Sequence, residues 1–261
     1  MGAQPSEIGL QAGDRHYKAF VGPIEEYDLM GAMQFNLLTT LGLRQDHTLL
    51  DVGCGSLRAG KLFVPYLLPD RYFGIEPEQW LIEEGIRHEL GRDILEVKRP
   101  RFDNNAVLRL DVFGQLFDYI MVHSIFSHAT PAQVCTCLAE AAKVMKPTSV
   151  LVASYLAGEA DYRGDAWVYP ARVSYTREFI STSVLQAGLI HVPIDWSHPT
   201  GQTWFAAVHQ ERKDAVPELT GDALALPILR ARLRDTEDRL QRIRQHPYVR
   251  FALWAKGLLR R

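Results

Sequence analysis

Thr48-Leu-Leu-Asp-Val52 runs directly into Gly53-Cys-Gly-Ser56. A short apolar run that ends beside an acid and then meets two glycines reads as a buried strand turning into a helix. The glycines allow backbone to approach a ligand closely, and the turn presents free N–H groups at a helix start. Such a turn suits a pyrophosphate or the carboxylate of an amino acid.

The same cadence repeats downstream. Arg71–Ile75 is a second strand ending at Glu76, and Pro77 marks the start of a helix over 78–90. Ala106–Leu110 reads as a third strand ending at Asp111, and Phe117–Val122 as a fourth. Thr130 and Pro131 open a helix that runs to Met145, and Ser149–Ser154 is a fifth strand. A helix over 176–186 precedes strands at His191–Trp196 and Thr203–His209. The six residues between those two strands leave no room for a helix, so the strands should pair antiparallel. Upstream, Tyr27, Met30, Gln34, Leu37, Leu38 and Leu41 recur at helical steps within 14–43.

Strands alternating with helices pair in parallel through right-handed crossovers, with both sheet faces covered. The expectation is an α/β fold, a Rossmann-like seven-stranded mostly parallel sheet with helices on both faces and an antiparallel closing hairpin. It divides the chain into a helical N-terminal cap (1–44), a ligand-binding domain (45–210) and a basic helical tail (211–261).

Composition bounds the partners. At 261 residues, 47% hydrophobic and 23% charged, the chain is an ordinary globular protein. Its net charge of −2 is uneven, because 230–261 carries ten basic residues against three acidic ones and leaves the remainder at −9. An acidic body is a poor partner for a phosphate backbone, so nucleic acid is disfavoured. Cys54, Cys135 and Cys137 form no CxxC pair, which argues against a disulfide framework and against a thiolate metal site. No carboxylate metal cluster is evident either. Without a long apolar run or a signal-peptide core, the expected location is cytoplasmic. In the tail, Leu226, Leu229, Leu233, Leu240 and Ile243 form a short heptad stripe suited to packing on the chain's own domain or in a homodimer. Tyr248–Arg261 mixes aromatic, apolar and basic residues, as peripheral membrane helices do.

In an open α/β sheet the ligand lies beyond the carboxyl ends of the strands. Glu76 follows Gly55 by 21 residues and ends the second strand, where a carboxylate accepts hydrogen bonds from both hydroxyls of a ribose. This indicates an adenosine ligand. Asp111 is placed to take the adenine amino group, Val112 to offer a backbone N–H, and Asp51 to orient a cationic end.

Leu50-Asp-Val-Gly-Cys-Gly55 resembles the glycine-rich first motif of the class I S-adenosylmethionine-dependent methyltransferases. Gly74-Ile-Glu-Pro77 is similar to their ribose element, Leu110-Asp-Val112 to their adenine element, and Phe117–His128 to the segment after which the substrate side begins. Lys143-Val-Met-Lys-Pro147 resembles the stretch before their fifth strand, so the likeness spans about 45–210. It implies S-adenosylmethionine as cofactor, with Asp51, Gly53, Cys54, Gly55, Glu76, Pro77, Asp111, Val112 and the backbone around His123 as contacts. Leu57 replaces that family's third glycine, and the likeness assigns no role to Arg58.

Methyl transfer to a hydroxyl is helped by a base, and histidine suits that role at neutral pH. His128 and His123, after the fourth strand, are the candidates. The long segment 157–175 should cover the substrate, with Tyr162, Asp165 and Trp167 as contacts. The expected reaction is methylation of an oxygen or nitrogen of a small molecule, a carbohydrate hydroxyl being favoured by the aromatic and acidic loop. The competing expectation is a noncatalytic scaffold that binds the adenosyl ligand and acts through its basic tail.

Overall fold

The computed structural model describes residues 9–215, which fall within one compact unit, Met1–Leu219. The expectations for the heptad stripe and the basic terminal segment concern residues outside that range. A helix, α1 (Tyr27–Thr40), precedes strand β1 (Leu49–Val52), α2 (Gly60–Tyr66) and β2 (Tyr72–Ile75). Then come α3 (Gln79–Gly85), α4 (Arg92–Lys98), β3 (Arg101–Asp103), β4 (Phe117–Val122), α5 (Pro131–Val144), β5 (Met145–Tyr155), α6 (Arg177–Gln186), β6 (Ile190–Ile194) and β7 (Thr203–Val208).

The seven strands form one sheet in the order β3-β2-β1-β4-β5-β7-β6. β1 pairs in parallel with β2 on one side and β4 on the other, and all four of its residues are buried, as a central parallel strand requires. β7 runs antiparallel to both β5 and β6, which is the expected closing hairpin. From β1 the chain winds outward to β3 and then returns to β4, so the order reverses between β1 and β4. A crevice opens at the strand ends there. The outermost strands are β3, three residues long, and β6, which contains Pro193.

Alternate residues serve opposite faces. Leu50, Val52, Ile120, Val122 and Leu151 join one core with Val134, Leu138 and Ala141 of α5 and Ile180 and Val184 of α6. On the other face the Tyr119 hydroxyl donates to the carbonyl of Leu41, just past α1, at 3.0 Å. α5 starts at a capping box in which the Thr130 hydroxyl accepts from the Gln133 N–H while the Gln133 side chain accepts from the Thr130 N–H.

The third strand departs from expectation. Residues 106–110 are irregular and β3 lies earlier, at Arg101–Asp103. The Asn105 side chain both accepts from Arg109 N–H and donates to the Arg109 carbonyl, closing a loop that competes with a ladder. Val107 is 71% exposed and Leu108 has φ +56, neither compatible with a buried strand. The helix expected over 78–90 is α3 followed by one wider π-type turn (Ile86–Leu90), and Gly91 then separates it from α4.

α1 and α3 grip the glycine turn. A Cβ on Gly31 of α1 would stand 2.4 Å from the Arg58 carbonyl oxygen, and one on Gly85 of α3 would stand 2.4 Å from that of Ser56. The Tyr27 hydroxyl, also from α1, donates to the Ser56 carbonyl at 3.0 Å. Since the obstacle is backbone, Gly85→Ala should destabilise the fold by about 1–3 kcal/mol, the usual cost of overpacking. Thermal unfolding of the variant checks this, and an unchanged midpoint would refute the close packing.

Candidate active site

A cavity of about 460 Å³ opens at the strand tips where the order reverses, a size usual for ligand pockets. Asp51, Gly53, Cys54, Gly55, Glu76, Pro77, His123, His128 and Trp167 all line it, so one space gathers residues spread over more than a hundred positions.

The glycine turn forms its floor. Gly53 has φ +73, and a Cβ there would fall 2.3 Å from Ile125 Cδ1. Leu57, standing where the resembled motif has glycine, still adopts φ +60 with its side chain fully buried. Core packing thus imposes a left-handed conformation that costs an ordinary residue about 1–2 kcal/mol. The Cys54 thiol is buried and its pKa is pushed well up by that burial, which leaves it a packing group rather than a nucleophile.

Two carboxylates face this floor. Glu76 Oε2 accepts from the Gly55 N–H at 3.0 Å and Oε1 from the Glu78 N–H at 3.0 Å. Burial outweighs both bonds and pushes the Glu76 pKa up to about 7. Asp51, 2% exposed, accepts from the Tyr72 hydroxyl at 2.7 Å, and burial raises it to about 6. Two partly dry carboxylates on one cavity favour a ligand that is cationic on that side.

The expected adenine contacts lie elsewhere. Asp111 is exposed, ion-pairs with Arg109 at 2.9 Å, and like Val112 does not line the cavity. The shifted third strand is the cause, and Asn105, Ala106 and Leu108 line the cavity in their place.

The two histidines differ in what they can do. His128 Nδ1 lies 2.9 Å from the carbonyls of both Val168 and Ala171. Only an N–H can satisfy two carbonyls, so the proton sits on Nδ1 and Nε2 carries the free lone pair. Burial lowers the His128 pKa more than the two carbonyls raise it, which keeps the ring neutral. His123, by contrast, is engaged at both nitrogens: Nδ1 faces Arg58 Nη2 at 3.1 Å and Nε2 faces His198 Nε2 at 2.9 Å. It stacks on Trp204, and burial drives its pKa well down. His123 is therefore a fixed wall of the cavity rather than a base.

The segment 157–175 is tied down onto the turn after β4. Val168 N–H donates to the His128 carbonyl, Val173 N–H to that of Ser127, and the Tyr175 hydroxyl to that of Ala129. These bonds set His128 in place. Of the expected substrate residues only Trp167 reaches the cavity, its ring 5.7 Å from His128. Tyr162 bonds the Ala166 carbonyl and, with the exposed Asp165, lies outside the lining.

Sequence reasoning missed Phe20 and Arg58 as cavity residues, whereas Tyr169 belongs to the aromatic set that the long 157–175 segment offers over the substrate. Phe20 and Tyr169 meet with ring centroids 5.5 Å apart, bringing together two segments distant in sequence. For Arg58 the signal was present in its place two residues before Gly60, but nothing in the pattern said where the side chain would turn.

No protein-family model matches the chain, and no curated protein matches it. Solved structures do. The magnesium protoporphyrin IX methyltransferase of Synechocystis PCC 6803 with bound SAH superposes with a TM-score of 0.54 at 12% identity, covering 72% of this chain and 84% of that one. The sugar N-methyltransferase KedS8 from Streptoalloteichus sp ATCC 53650 gives 0.54 at 14% identity, over 80% of this chain and 98% of that one. DesVI of Streptomyces venezuelae gives 0.53 at 14%, over 70% and 92%. The chain shares the Rossmann-like fold of these structures, a mixed seven-stranded sheet closed by an antiparallel hairpin.

Proposed function

We propose that this chain is an S-adenosylmethionine-dependent methyltransferase acting on a hydroxyl or amine of a small molecule. The observation that carries the reading is a single cavity holding a glycine turn, two carboxylates and a neutral imidazole with a free Nε2. The residues fit the donor. Glu76 is placed for ribose hydroxyls, the wall of Asn105, Ala106 and Leu108 for adenine, and Asp51 for a cationic end. When bound, S-adenosylmethionine supplies an electrophilic methyl group on a sulfonium. The chain's own part is to hold the acceptor in line, exclude water, and take the acceptor's proton on His128 Nε2.

A carbohydrate acceptor is favoured by Trp167 and Tyr169 at the cavity, since flat rings pack on sugar faces, and one structural neighbour is a sugar N-methyltransferase. The test is incubation with methyl-labelled donor and a panel of amino sugars, sugars and small amines or phenols, alongside calorimetry with S-adenosylhomocysteine. Saturable binding and labelled product support the reading. Binding without transfer to any acceptor would favour a noncatalytic subunit, and the absence of binding would reject both.

A further inference from the structure

Tyr169 carries a polar atom that the fold itself leaves unused. Its ring lines the cavity, lying edge-on to His128 with centroids 5.0 Å apart and against Phe20 at 5.5 Å. The hydroxyl is shielded from solvent, yet it has no hydrogen-bond partner among the described residues. Burial pushes its pKa up to about 12, so the proton stays on and wants an acceptor. A buried hydroxyl left in that state is costly and calls for a bound partner.

The neighbouring side chains do not supply one. Arg58, the charged group that acts on the phenol most strongly, offers only N–H donors. Glu76 acts on it more weakly, and its two oxygens already accept from the Gly55 and Glu78 N–H groups. His128 Nδ1 is committed to the carbonyls of Val168 and Ala171, and its Nε2 makes no bond to the phenol. A lone pair on His128 and a proton on Tyr169 therefore border one cavity from adjacent rings, each without a use in the fold.

These two atoms treat oxygen and nitrogen nucleophiles differently. A hydroxyl oxygen has one proton and two lone pairs. It can give the proton to His128 Nε2, accept from Tyr169 with one lone pair, and attack a methyl group with the other. A neutral amine nitrogen has a single lone pair, which the attack consumes. The phenolic proton is then left unpaired at the moment of transfer, and a site that leaves a buried polar group unpaired rejects that substrate strongly.

We propose that Tyr169 selects an oxygen nucleophile, donating to the acceptor's reacting hydroxyl while His128 takes that hydroxyl's proton. This rests on the methyltransferase reading and narrows its acceptor to an alcohol or phenol. In the step, an oxygen lone pair forms the new C–O bond, the C–S bonding pair returns to sulfur to leave a neutral thioether, and the proton passes to Nε2.

The experiment uses acceptors that carry both nucleophiles, glucosamine and ortho-aminophenol, with methyl-labelled S-adenosylmethionine, and locates the label in each product by mass spectrometry. Wild type should methylate oxygen in preference to nitrogen. Tyr169→Phe should lower transfer to oxygen about tenfold and spare transfer to nitrogen, so that the oxygen-to-nitrogen ratio falls by the same factor. Two further measurements are independent of turnover. Because the hydroxyl bonds nothing in the ligand-free fold, the thermal unfolding midpoint of Tyr169→Phe should equal or exceed that of wild type. Calorimetry should give the two proteins the same S-adenosylhomocysteine affinity. Label chiefly on nitrogen in wild type, a ratio indifferent to the substitution, or a lowered midpoint overturns the assignment and leaves the methyltransferase reading standing. Weaker S-adenosylhomocysteine binding by Tyr169→Phe gives the hydroxyl to the donor instead, which also overturns it. Transfer by wild type to neither acceptor, nor to the simple sugars, amines and phenols, rejects the transferase reading, and the assignment falls with it.

Discussion

Replacing Glu76 by alanine should weaken S-adenosylhomocysteine binding by about ten- to a hundredfold, since hydrogen bonds to a charged group contribute about 1.5–3 kcal/mol and each 1.4 kcal/mol is tenfold. The carboxylate is also the one most changed by its surroundings in a useful pH range. Its pKa is raised by burial from 4.5 to about 7, so it gains a proton as pH falls through 7. A protonated carboxyl accepts less well from ribose hydroxyls. Affinity should therefore be flat above pH 7 and decline below it, and Glu76→Gln should be weaker throughout but lack that slope. Stability runs the other way. A folded pKa above the unfolded one favours the protonated fold, so the cost of ionising Glu76 is absent below pH 4.5, grows from there to 7, and is complete above. The stability of ligand-free Glu76→Gln relative to wild type should rise across that window. Calorimetric titration and unfolding at several pH values check both slopes, and parallel curves for the two proteins would remove Glu76 from the donor site.

His128→Ala should lower kcat by about a hundred- to ten-thousandfold, the range for loss of a positioned base, while leaving S-adenosylhomocysteine affinity intact. The separation follows from placement. His128 is held by carbonyls of the 157–175 segment, whereas Glu76 grips the glycine turn. Burial holds the His128 pKa below 6.5, so the ring remains an acceptor to pH values where a free imidazole would already be charged. In wild type the acidic limb of kcat at saturating donor should fall below pH 6.5, and in His128→Gln it should vanish. If kcat survives the substitution at wild-type level, proton removal belongs to another group or to the acceptor itself.

Much of this was legible in residue order. The Leu50–Gly55 motif, Glu76 at the tip of β2 and the short link before β7 mark the sheet, its switch point and its closing hairpin through period and turn chemistry. What stayed hidden depends on contacts remote in sequence. The third strand was misplaced because Val107 and Leu108 look apolar, while the Asn105 side chain closes the loop that excludes them from the ladder. Asp111 and Val112 moved out of the cavity with it. His123 and His128 are alike in sequence, five residues apart, and only their partners separate a ring engaged at both nitrogens from one held through Nδ1 alone. The direction taken by Arg58 depends on Val21 and His123, neither of which sequence spacing could link to it.

The borders of the sheet carry a different lesson. A foreign strand is recruited by a long, uninterrupted row of backbone donors and acceptors. β3 is too short to offer one, and Pro193 breaks the donor sequence of β6. Growth of the sheet by annexing a neighbour's strand, the route to edge-linked assemblies and fibrils, is therefore blunted at both ends.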